Sequence, residues 1–158
     1  MSTDLAEHFD PDELLTPRGV LGHYFGYPEF RTGQEEAIDA VMAGHDALVL
    51  LPTGGGKSLC FQLPALVRQG LVVVISPLVA LMDDQVLQLQ QRGIAAACLH
   101  RGIQPVQRRL IQKQLSSGAL RLLYLAPERL QGEAARDMLS VHARQGKLVA
   151  LAVDEAHC

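Results

Sequence analysis

Two short segments of the chain combine residue types suited to phosphate and metal chemistry. The first is Pro52-Thr53-Gly54-Gly55-Gly56-Lys57-Ser58, which lies between an apolar run and a helix-like stretch. Consecutive glycines let the backbone curl until its N–H groups point at phosphate oxygens, and the following helix adds the positive end of its dipole. Lys57 would neutralise β- and γ-phosphate charge, and the Ser58 hydroxyl would ligate Mg²⁺. The segment predicts a phosphate-binding loop.

This loop departs from the full G-x-x-x-x-G-K-[ST] pattern, because Leu51 stands at the position of the first glycine. The alternative is a plain glycine turn, since a Gly-Lys-Ser tripeptide alone is common by chance. Three consecutive glycines between an apolar run and a helix favour nucleotide binding over that alternative.

The second segment is the apolar run Leu148 to Val153, which ends in Asp154-Glu155-Ala156-His157. At the carboxyl end of a parallel strand, Asp154 would face the phosphate loop and hold Mg²⁺ directly or through water. Glu155 would then polarise the attacking water. The alternative is an exposed acidic turn that caps a helix, and the phosphate loop upstream makes it the weaker interpretation.

Short apolar runs alternate with longer amphipathic stretches along the chain. Each run is strand-sized and predicts a strand buried on both faces. The five runs are 47–51, 71–76, 95–99, 120–126 and 148–153. Between them, helical periodicity predicts helices over 78–89, about 104–117 and 133–145. Thr32 and Glu35 form a capping-box pattern, which predicts a further helix from Gly33 to about Ala43, ending at Gly44. The predicted architecture is α/β, a parallel sheet flanked by helices.

Length and composition set limits on the class of protein. The 158 residues suit one domain, and 48% apolar with 20% charged residues suits a packed core. No apolar run approaches the roughly 18 residues of a membrane span. The start, 1–13, has five acidic residues and no Lys or Arg, unlike a leader peptide. These features predict a soluble intracellular protein.

Charge is divided unevenly along the chain. Residues 1–46 hold ten Asp or Glu and two Arg side chains, whereas residues 47–158 hold seven Asp or Glu and twelve Lys or Arg side chains. The basic part could meet a polyanion or could form solvated helix faces, and charge alone does not decide between them.

The three cysteines, Cys60, Cys98 and Cys158, are too sparse for a disulfide framework and include no C-x-x-C pair. Cys60 and Cys98 are expected to be core thiols. Five histidines lack metal-ligand spacing and are assigned no role: His8, His23, His45, His100 and His142. No zinc site is expected within the chain.

The stretch Asp154 to Cys158, DEAHC, resembles motif II of superfamily 2 helicases and specifically of RecQ-type DNA helicases. Four further segments resemble motifs of that family in the same order. They are 25–34 (motif 0), 52–62 (motif I), 76–86 (motif Ia) and 124–130, which precedes motif II. The resemblance implies a RecA-like P-loop NTPase domain over 21–158 that is incomplete at its C-terminus, after an acidic lead-in over 1–20.

The resemblance also implies roles for individual residues. Gln34 would hydrogen-bond the adenine edge, and Tyr27 and Arg31 would stack on its faces. The alternatives are a core aromatic for Tyr27 and a surface ion pair with Glu35 for Arg31.

Three residues, Ser76, Gln85 and Arg129, would touch the DNA strand through contacts that position it without reading sequence. Asp83 departs from the family, where a basic residue is common. His157 would couple the γ-phosphate to the DNA side, or else is a helix-start histidine without a function.

On this resemblance, the parent protein is expected to be an ATP-driven 3′-to-5′ DNA helicase of repair and recombination. It would use ATP and Mg²⁺, act on single strands and their junctions with duplex, and reside in the cytoplasm, at the nucleoid if bacterial. Protein partners are not indicated. The rival hypotheses are a P-loop ATPase that does not unwind DNA and a nucleotide-binding fragment without catalysis.

The chain ends after motif II, so the family's motif III strand and second motor domain are not part of it. In this family that strand lies between the phosphate-loop strand, here 47–51, and the strand before motif II, here 148–153, so a gap is expected in the sheet. The chain is therefore expected to be a fragment that does not unwind DNA, has at most trace ATPase activity and tends to aggregate.

Overall fold

The computed structural model describes residues 11–52 and 56–157. The helices are α1 (Pro17–Val20), α2 (Gln34–Met42), α3 (Leu59–Val67), α4 (Val79–Gln91), α5 (Pro105–Ser117) and α6 (Glu133–Arg144). The strands are β1 (Leu71–Ile75), β2 (Ala96–Leu99), β3 (Leu122–Leu125) and β4 (Leu148–Val153). The last four predicted strands and the helices predicted over 78–89, 104–117 and 133–145 are thus confirmed to within two residues at either end.

The strands form one parallel sheet in the order β2-β3-β1-β4. Every residue of β1, Leu-Val-Val-Val-Ile, is buried. β-Branched side chains suit this position because they pack well on a pleated surface covered from both sides. The predicted α/β architecture with helices flanking a parallel sheet is confirmed.

Alternate residues of β1 supply the two halves of the core. Val72 and Val74 pack in a cluster with residues of α2, α3 and α4. Val73 packs in a second cluster with residues of α5 and α6. Because side chains alternate across a strand, one five-residue run anchors helices on both faces of the sheet.

The predicted first strand, Ala47 to Leu51, is wrong. This run has no strand conformation, and Leu48 and Leu50 are 84% and 83% exposed. An apolar run becomes a strand only where a neighbour pairs with its backbone. Across a groove of about 810 Å³ lies β4, whose outward Leu151 and Val153 are also exposed. The groove agrees with the gap expected in the sheet.

The start of α2 also differs from the prediction. The capping box between Thr32 and Glu35 does not form, because Gly33 at φ 86° occupies the N-cap and Glu35 pairs with Arg18 at 3.0 Å. The Gln34 side chain forms the hydrogen bond at this helix start instead, because its Oε1 accepts from the Arg31 N–H at 2.8 Å. The helix begins at Gln34, and its N-terminal contacts come from a residue of the candidate site.

Residues on both sides of the predicted boundary at 20/21 pack into the same core. A π-helical turn, Leu21–Phe25, continues α1 directly. Val20 and Leu21 are both buried in the core cluster that also contains residues of α3. Among the described residues, no helix combines the length and apolar character needed to cross a membrane.

Candidate functional site

The two segments with predicted chemistry meet at the carboxyl edge of the sheet. Asp154 directly follows β4, and its N–H donates to the Ile75 carbonyl at 2.8 Å, so pairing with β1 extends to the acidic residue. Lys57 and Ser58 precede the first turn of α3. The Lys57 Nζ lies 3.9 Å from Glu155 Oε1. The fold therefore brings the end of the phosphate loop against the acidic pair.

A cavity of about 340 Å³ gathers residues from four of the predicted motifs. Its lining includes Tyr27, Arg31, Gly56, Lys57, Ser58, Gln85, Asp154 and Glu155. Three predicted loop residues, Thr53, Gly54 and Gly55, lie outside the described residues, as does Cys158. The cavity combines cationic, hydroxyl and carboxylate groups at one sheet edge, which is where open α/β sheets bind ligands.

Glu155 is held between two basic groups. Its Oε1 faces Lys57, and its Oε2 lies 3.3 Å from His157 Nε2. Its backbone has φ 54°, in the left-handed region that non-glycine residues seldom adopt. Such backbone strain concentrates at functional sites. His157 is thus connected to the acidic pair rather than isolated at a helix start.

The carboxyl group of Asp154 has a pKa raised above its ordinary value. Burial is the largest cause and the negative charge of Glu155 adds to it, whereas the Glu155 N–H and Lys57 act in the opposite direction. The Glu155 N–H donates to Asp154 Oδ1 at 3.0 Å. Asp154 and Glu155 thus place two adjacent half-buried carboxyl groups at the cavity, an arrangement that a bound cation would stabilise.

Gln34 connects motif 0 to the phosphate loop. It is buried, and its Nε2 donates to the Gly56 carbonyl at 3.0 Å while its Oε1 accepts from Arg31 N–H. Both ends of the amide are therefore engaged within the protein. Adenine contact by Gln34 remains a prediction, and it could add to these hydrogen bonds rather than replace them, because an amide has two N–H donors and two carbonyl lone pairs.

Replacing Gly56 by alanine is expected to destabilise the protein. Gly56 has φ 76°, and an added Cβ would lie 2.3 Å from Gln34 Nε2. Gly44 is a matched control, because it has φ 79° and open space around its Cβ position. We expect Gly56→Ala to lower the free energy of unfolding by about 1–3 kcal/mol more than Gly44→Ala, measured by urea denaturation. Equal losses of stability in the two variants would show that the loop accommodates the added Cβ at no cost in the free energy of unfolding.

The two other motif 0 residues, Tyr27 and Arg31, both line the cavity. Tyr27 is 45% exposed, so the alternative of a core aromatic is wrong. Glu35, the alternative partner of Arg31, pairs with Arg18 instead. Stacking of Tyr27 and Arg31 on a base remains a prediction.

The predicted DNA-contact residues lie near the same sheet edge but differ in accessibility. Ser76 follows β1 and is buried, and its Oγ accepts from the Leu78 N–H at 3.3 Å. Arg129 donates to the His100 carbonyl at 3.0 Å. Gln85, on α4, lines the cavity that also contains Lys57. The structure thus places Gln85 closer to the candidate nucleotide site than the motif pattern indicates.

Sequence reasoning missed a series of side-chain hydrogen bonds that links two residues of the cavity lining, Gln62 and Gln85, through Tyr124. Gln62 Nε2 on α3 donates to the Tyr124 hydroxyl at 2.9 Å, and that hydroxyl donates to Gln85 Oε1 at 2.7 Å. Tyr124 lies on β3, is 1% exposed, and has a raised pKa because of burial. A tyrosine within the apolar run 120–126 was the available signal. These hydrogen bonds join α3, the helix after the phosphate loop, to α4, the helix that carries Gln85.

Replacing Tyr124 by phenylalanine should keep the ring packing and remove the shared hydroxyl. Gln62 Nε2 would then lose a partner in a buried environment, and Gln85 Oε1 would lose one in a half-buried environment. We expect the free energy of unfolding to fall by about 1–3 kcal/mol, measured by urea denaturation. The control is Tyr24→Phe, because the Tyr24 hydroxyl takes no part in the hydrogen bonds among Gln62, Tyr124 and Gln85. Equal stability of the two variants would contradict a structural role of the hydroxyl.

Arg92 was also missed, although it lines the same cavity. Its guanidinium lies 5.3 Å from the centre of the Phe25 ring and donates to the carbonyls of Tyr24 and Phe25 at 3.1 and 3.4 Å. This residue therefore ties the end of α4 to the segment that leads into motif 0.

Both predicted core thiols are confirmed. Cys60 and Cys98 are buried and free, and burial raises the pKa of each.

A family model described as DEAD/DEAH box helicase matches residues 31–158, which include every acidic and phosphate-loop residue of the site. The chain belongs to the DEAD/DEAH box helicase family. Within this family, the resemblance to RecQ-type helicases is confirmed by curated relatives. The chain is 49% identical over 139 residues to the ATP-dependent DNA helicase RecQ of Synechocystis, covering 88% of this chain and 29% of that relative.

Other helicases give the same result. The ATP-dependent DNA helicase RecQ of Haemophilus influenzae is 48% identical over 146 residues, which cover 92% of this chain and 23% of the relative. That of Bacillus subtilis is 45% identical over 149 residues, with 92% and 24% covered. The chain thus spans about a quarter of the length of these helicases.

A solved helicase structure shares the fold. The crystal structure of the DUF1998 helicase MrfA bound to DNA aligns with a TM-score of 0.63 at 23% identity, covering 88% of this chain and 20% of that one. This likeness supports the helicase-type α/β fold described above.

Proposed function

We propose that the protein to which this chain belongs is an ATP-driven DNA helicase, and that residues 21–158 form the ATP-binding part of its first motor domain. The observation that carries the proposal is the meeting of Lys57 with Asp154 and Glu155 at the carboxyl edge of the sheet. Membership of the DEAD/DEAH box helicase family and the names of the RecQ relatives support the same activity.

We propose that the cavity binds ATP. The loop from Thr53 to Ser58 would hold the phosphates, with Lys57 neutralising their charge and backbone N–H groups donating to their oxygens. Gln34 would hydrogen-bond the adenine edge, and Tyr27 and Arg31 would stack on it. Their position beside Lys57 and Gly56 supports this division between base and phosphates.

Asp154 and Ser58 are the proposed ligands of Mg²⁺. A carboxylate and a hydroxyl supply the hard oxygen donors that Mg²⁺ prefers, and Asp154 and Ser58 line the same cavity. The ion, when bound, would neutralise charge that develops on the phosphates.

Glu155 is the proposed general base for the attacking water. In the structure it faces Lys57 and His157. Phosphate oxygens would compete with Glu155 for Lys57, which would free the carboxylate to orient water. His157, on the other side of Glu155, is the proposed coupling residue between the γ-phosphate and the DNA side.

Ser76, Gln85 and Arg129 are proposed to contact the DNA backbone, which would make binding independent of sequence. The hydrogen-bond chain from Gln62 through Tyr124 to Gln85 supports coupling between this contact and the phosphate loop. The finer proposals are 3′-to-5′ movement on single strands and junctions, a role in repair and recombination, and a cytoplasmic location.

Strand separation by the full-length protein tests this function. The substrates are labelled partial duplexes that carry either a 3′ or a 5′ single-stranded overhang, incubated with ATP and Mg²⁺. We expect ATP-dependent separation of the 3′-overhang substrate and little separation of the other. Hydrolysis without separation of either duplex would favour the rival P-loop ATPase that does not unwind DNA.

A further inference from the structure

A second cluster of chemically capable side chains lies away from the candidate nucleotide site. It consists of Asp83 on α4, Cys98 on β2 and His100 just after β2, whose potential ligand atoms all lie within 4.8 Å of one another. Cys98 Sγ donates to Asp83 Oδ1 at 3.0 Å, and His100 Nε2 lies 3.1 Å from the same oxygen. Thus a thiol, an imidazole and a carboxylate converge on one point.

We propose that this cluster binds a divalent transition-metal ion of the Zn²⁺ type. Zn²⁺ takes thiolate, imidazole and carboxylate ligands at about 2.0–2.3 Å in tetrahedral geometry, which separates ligand atoms by roughly 3.3–3.8 Å. The two distances of 3.0 and 3.1 Å and the 4.8 Å limit bracket that range. Small side-chain adjustments would therefore suffice.

The positions of the ligands suit an open site with three protein ligands. Cys98 is buried and the His100 side chain is mostly buried, whereas that of Asp83 is half exposed. Water could take the fourth position from the exposed side, as in zinc sites that retain an open position. Arg129 fixes the His100 backbone by donating to its carbonyl at 3.0 Å.

Ion binding must displace two protons. The Gly102 N–H donates to His100 Nδ1 at 3.0 Å, so without an ion the ring proton lies on Nε2 and is directed at Asp83. On binding, the thiol proton leaves to solvent, the ring proton moves to Nδ1, and Sγ, Nε2 and Oδ1 each form a bond to the ion. The turn at Gly102 then has to release one backbone hydrogen bond, which is a local change.

The sequence expectation of no zinc site was based on spacing along the chain. Cys98 and His100 are two residues apart at the end of a strand, so their side chains share a face. Cys98 packs in the same core cluster as Met82 and Val86 of α4, and this packing brings Asp83 over that face. The third ligand, Asp83, lies on α4, whose sequence matches no metal-binding motif.

Titration of the chelator-treated full-length protein with Co²⁺ tests the proposal, because thiolate–Co²⁺ charge transfer gives a near-ultraviolet absorption band. We expect a component of this band that saturates at one equivalent and is present in the unmodified protein but absent in Cys98→Ser. Cys60→Ser is the matched thiol control and should retain it. Differences between variants exclude any contribution from metal sites elsewhere in the full-length protein.

A second pair of variants keeps the test independent of the folding of Cys98→Ser. Asp83→Asn removes a ligand at a half-exposed helical position, and Asp84→Asn makes the same charge change at the exposed neighbouring residue. Losing a direct ligand should cost at least the roughly 10–100-fold in affinity known for outer-shell partners, with no change for Asp84→Asn. A band of equal intensity in Cys98→Ser and the unmodified protein, no band at all, or equal Co²⁺ affinity of the two aspartate variants would overturn the proposal.

Discussion

Replacement of Lys57 by alanine is expected to reduce ATP hydrolysis by the full-length protein by at least about 10²-fold and to abolish strand separation. Lys57 is the cation at the junction of the phosphate loop and α3, and it lies beside Glu155 in the candidate cavity. Removing one preorganised group that stabilises transition-state charge typically costs about 10²–10³-fold in rate. The measurement is DNA-stimulated phosphate release under saturating ATP.

Lys113→Ala provides the matched control for charge, because Lys113 is exposed on α5 and does not line the cavity. It should keep hydrolysis near the unmodified rate. Nucleotide affinity should also fall for Lys57→Ala, since the contact to phosphate exists before hydrolysis. Turnover of Lys57→Ala within a few-fold of the unmodified protein would remove the assignment of this loop to phosphate binding.

Replacement of Glu155 by glutamine should have an equally large effect on turnover but a different effect on binding. The amide preserves the shape of the side chain but cannot accept the proton of the attacking water. We expect ATP and Mg²⁺ to bind nearly as before, while hydrolysis slows by about 10²–10⁴-fold. Nucleotide binding by fluorescence and phosphate release in single turnovers separate the two effects.

Asp154→Asn is the comparison that makes the Glu155 prediction specific. Asp154 is the proposed metal ligand, so its replacement should raise the Mg²⁺ concentration required for hydrolysis, whereas Glu155→Gln should leave it nearly unchanged. If the two variants showed the same weakened nucleotide binding, without selective loss of turnover for Glu155→Gln, the division of roles between the carboxylates would be incorrect.

The parallel strands could be predicted from sequence where both faces of the strand are buried. Successive side chains of such a strand are apolar, so the strand is visible in the sequence as an uninterrupted apolar run. The run 71–76 is the clearest case, because β1 packs helices against both faces. The run 47–51 has the same apolar character but no strand conformation. Its failure as a prediction has a physical basis: strand formation depends on a hydrogen-bonding neighbour, which hydropathy does not encode.

Site residues were predictable where one motif contains both the chemistry and its position. Lys57, Asp154 and Glu155 meet as the motif spacing predicts. The contacts of Gln34 with Gly56, and of Tyr124 with Gln62 and Gln85, were not predictable, because they join residues distant in sequence through buried side chains. Such contacts leave only a polar residue within an apolar run as a signal, and that signal names no partner.

The rate of phosphate release from ATP by the full-length protein, with and without single-stranded DNA, tests the central claim most directly. If the site at Lys57, Asp154 and Glu155 drives a DNA motor, DNA should raise the rate at least about tenfold, since strand contacts complete the active arrangement. The same rise should be absent in Glu155→Gln. A rate that is substantial yet identical with and without DNA would contradict the account and identify an ATPase that serves another purpose.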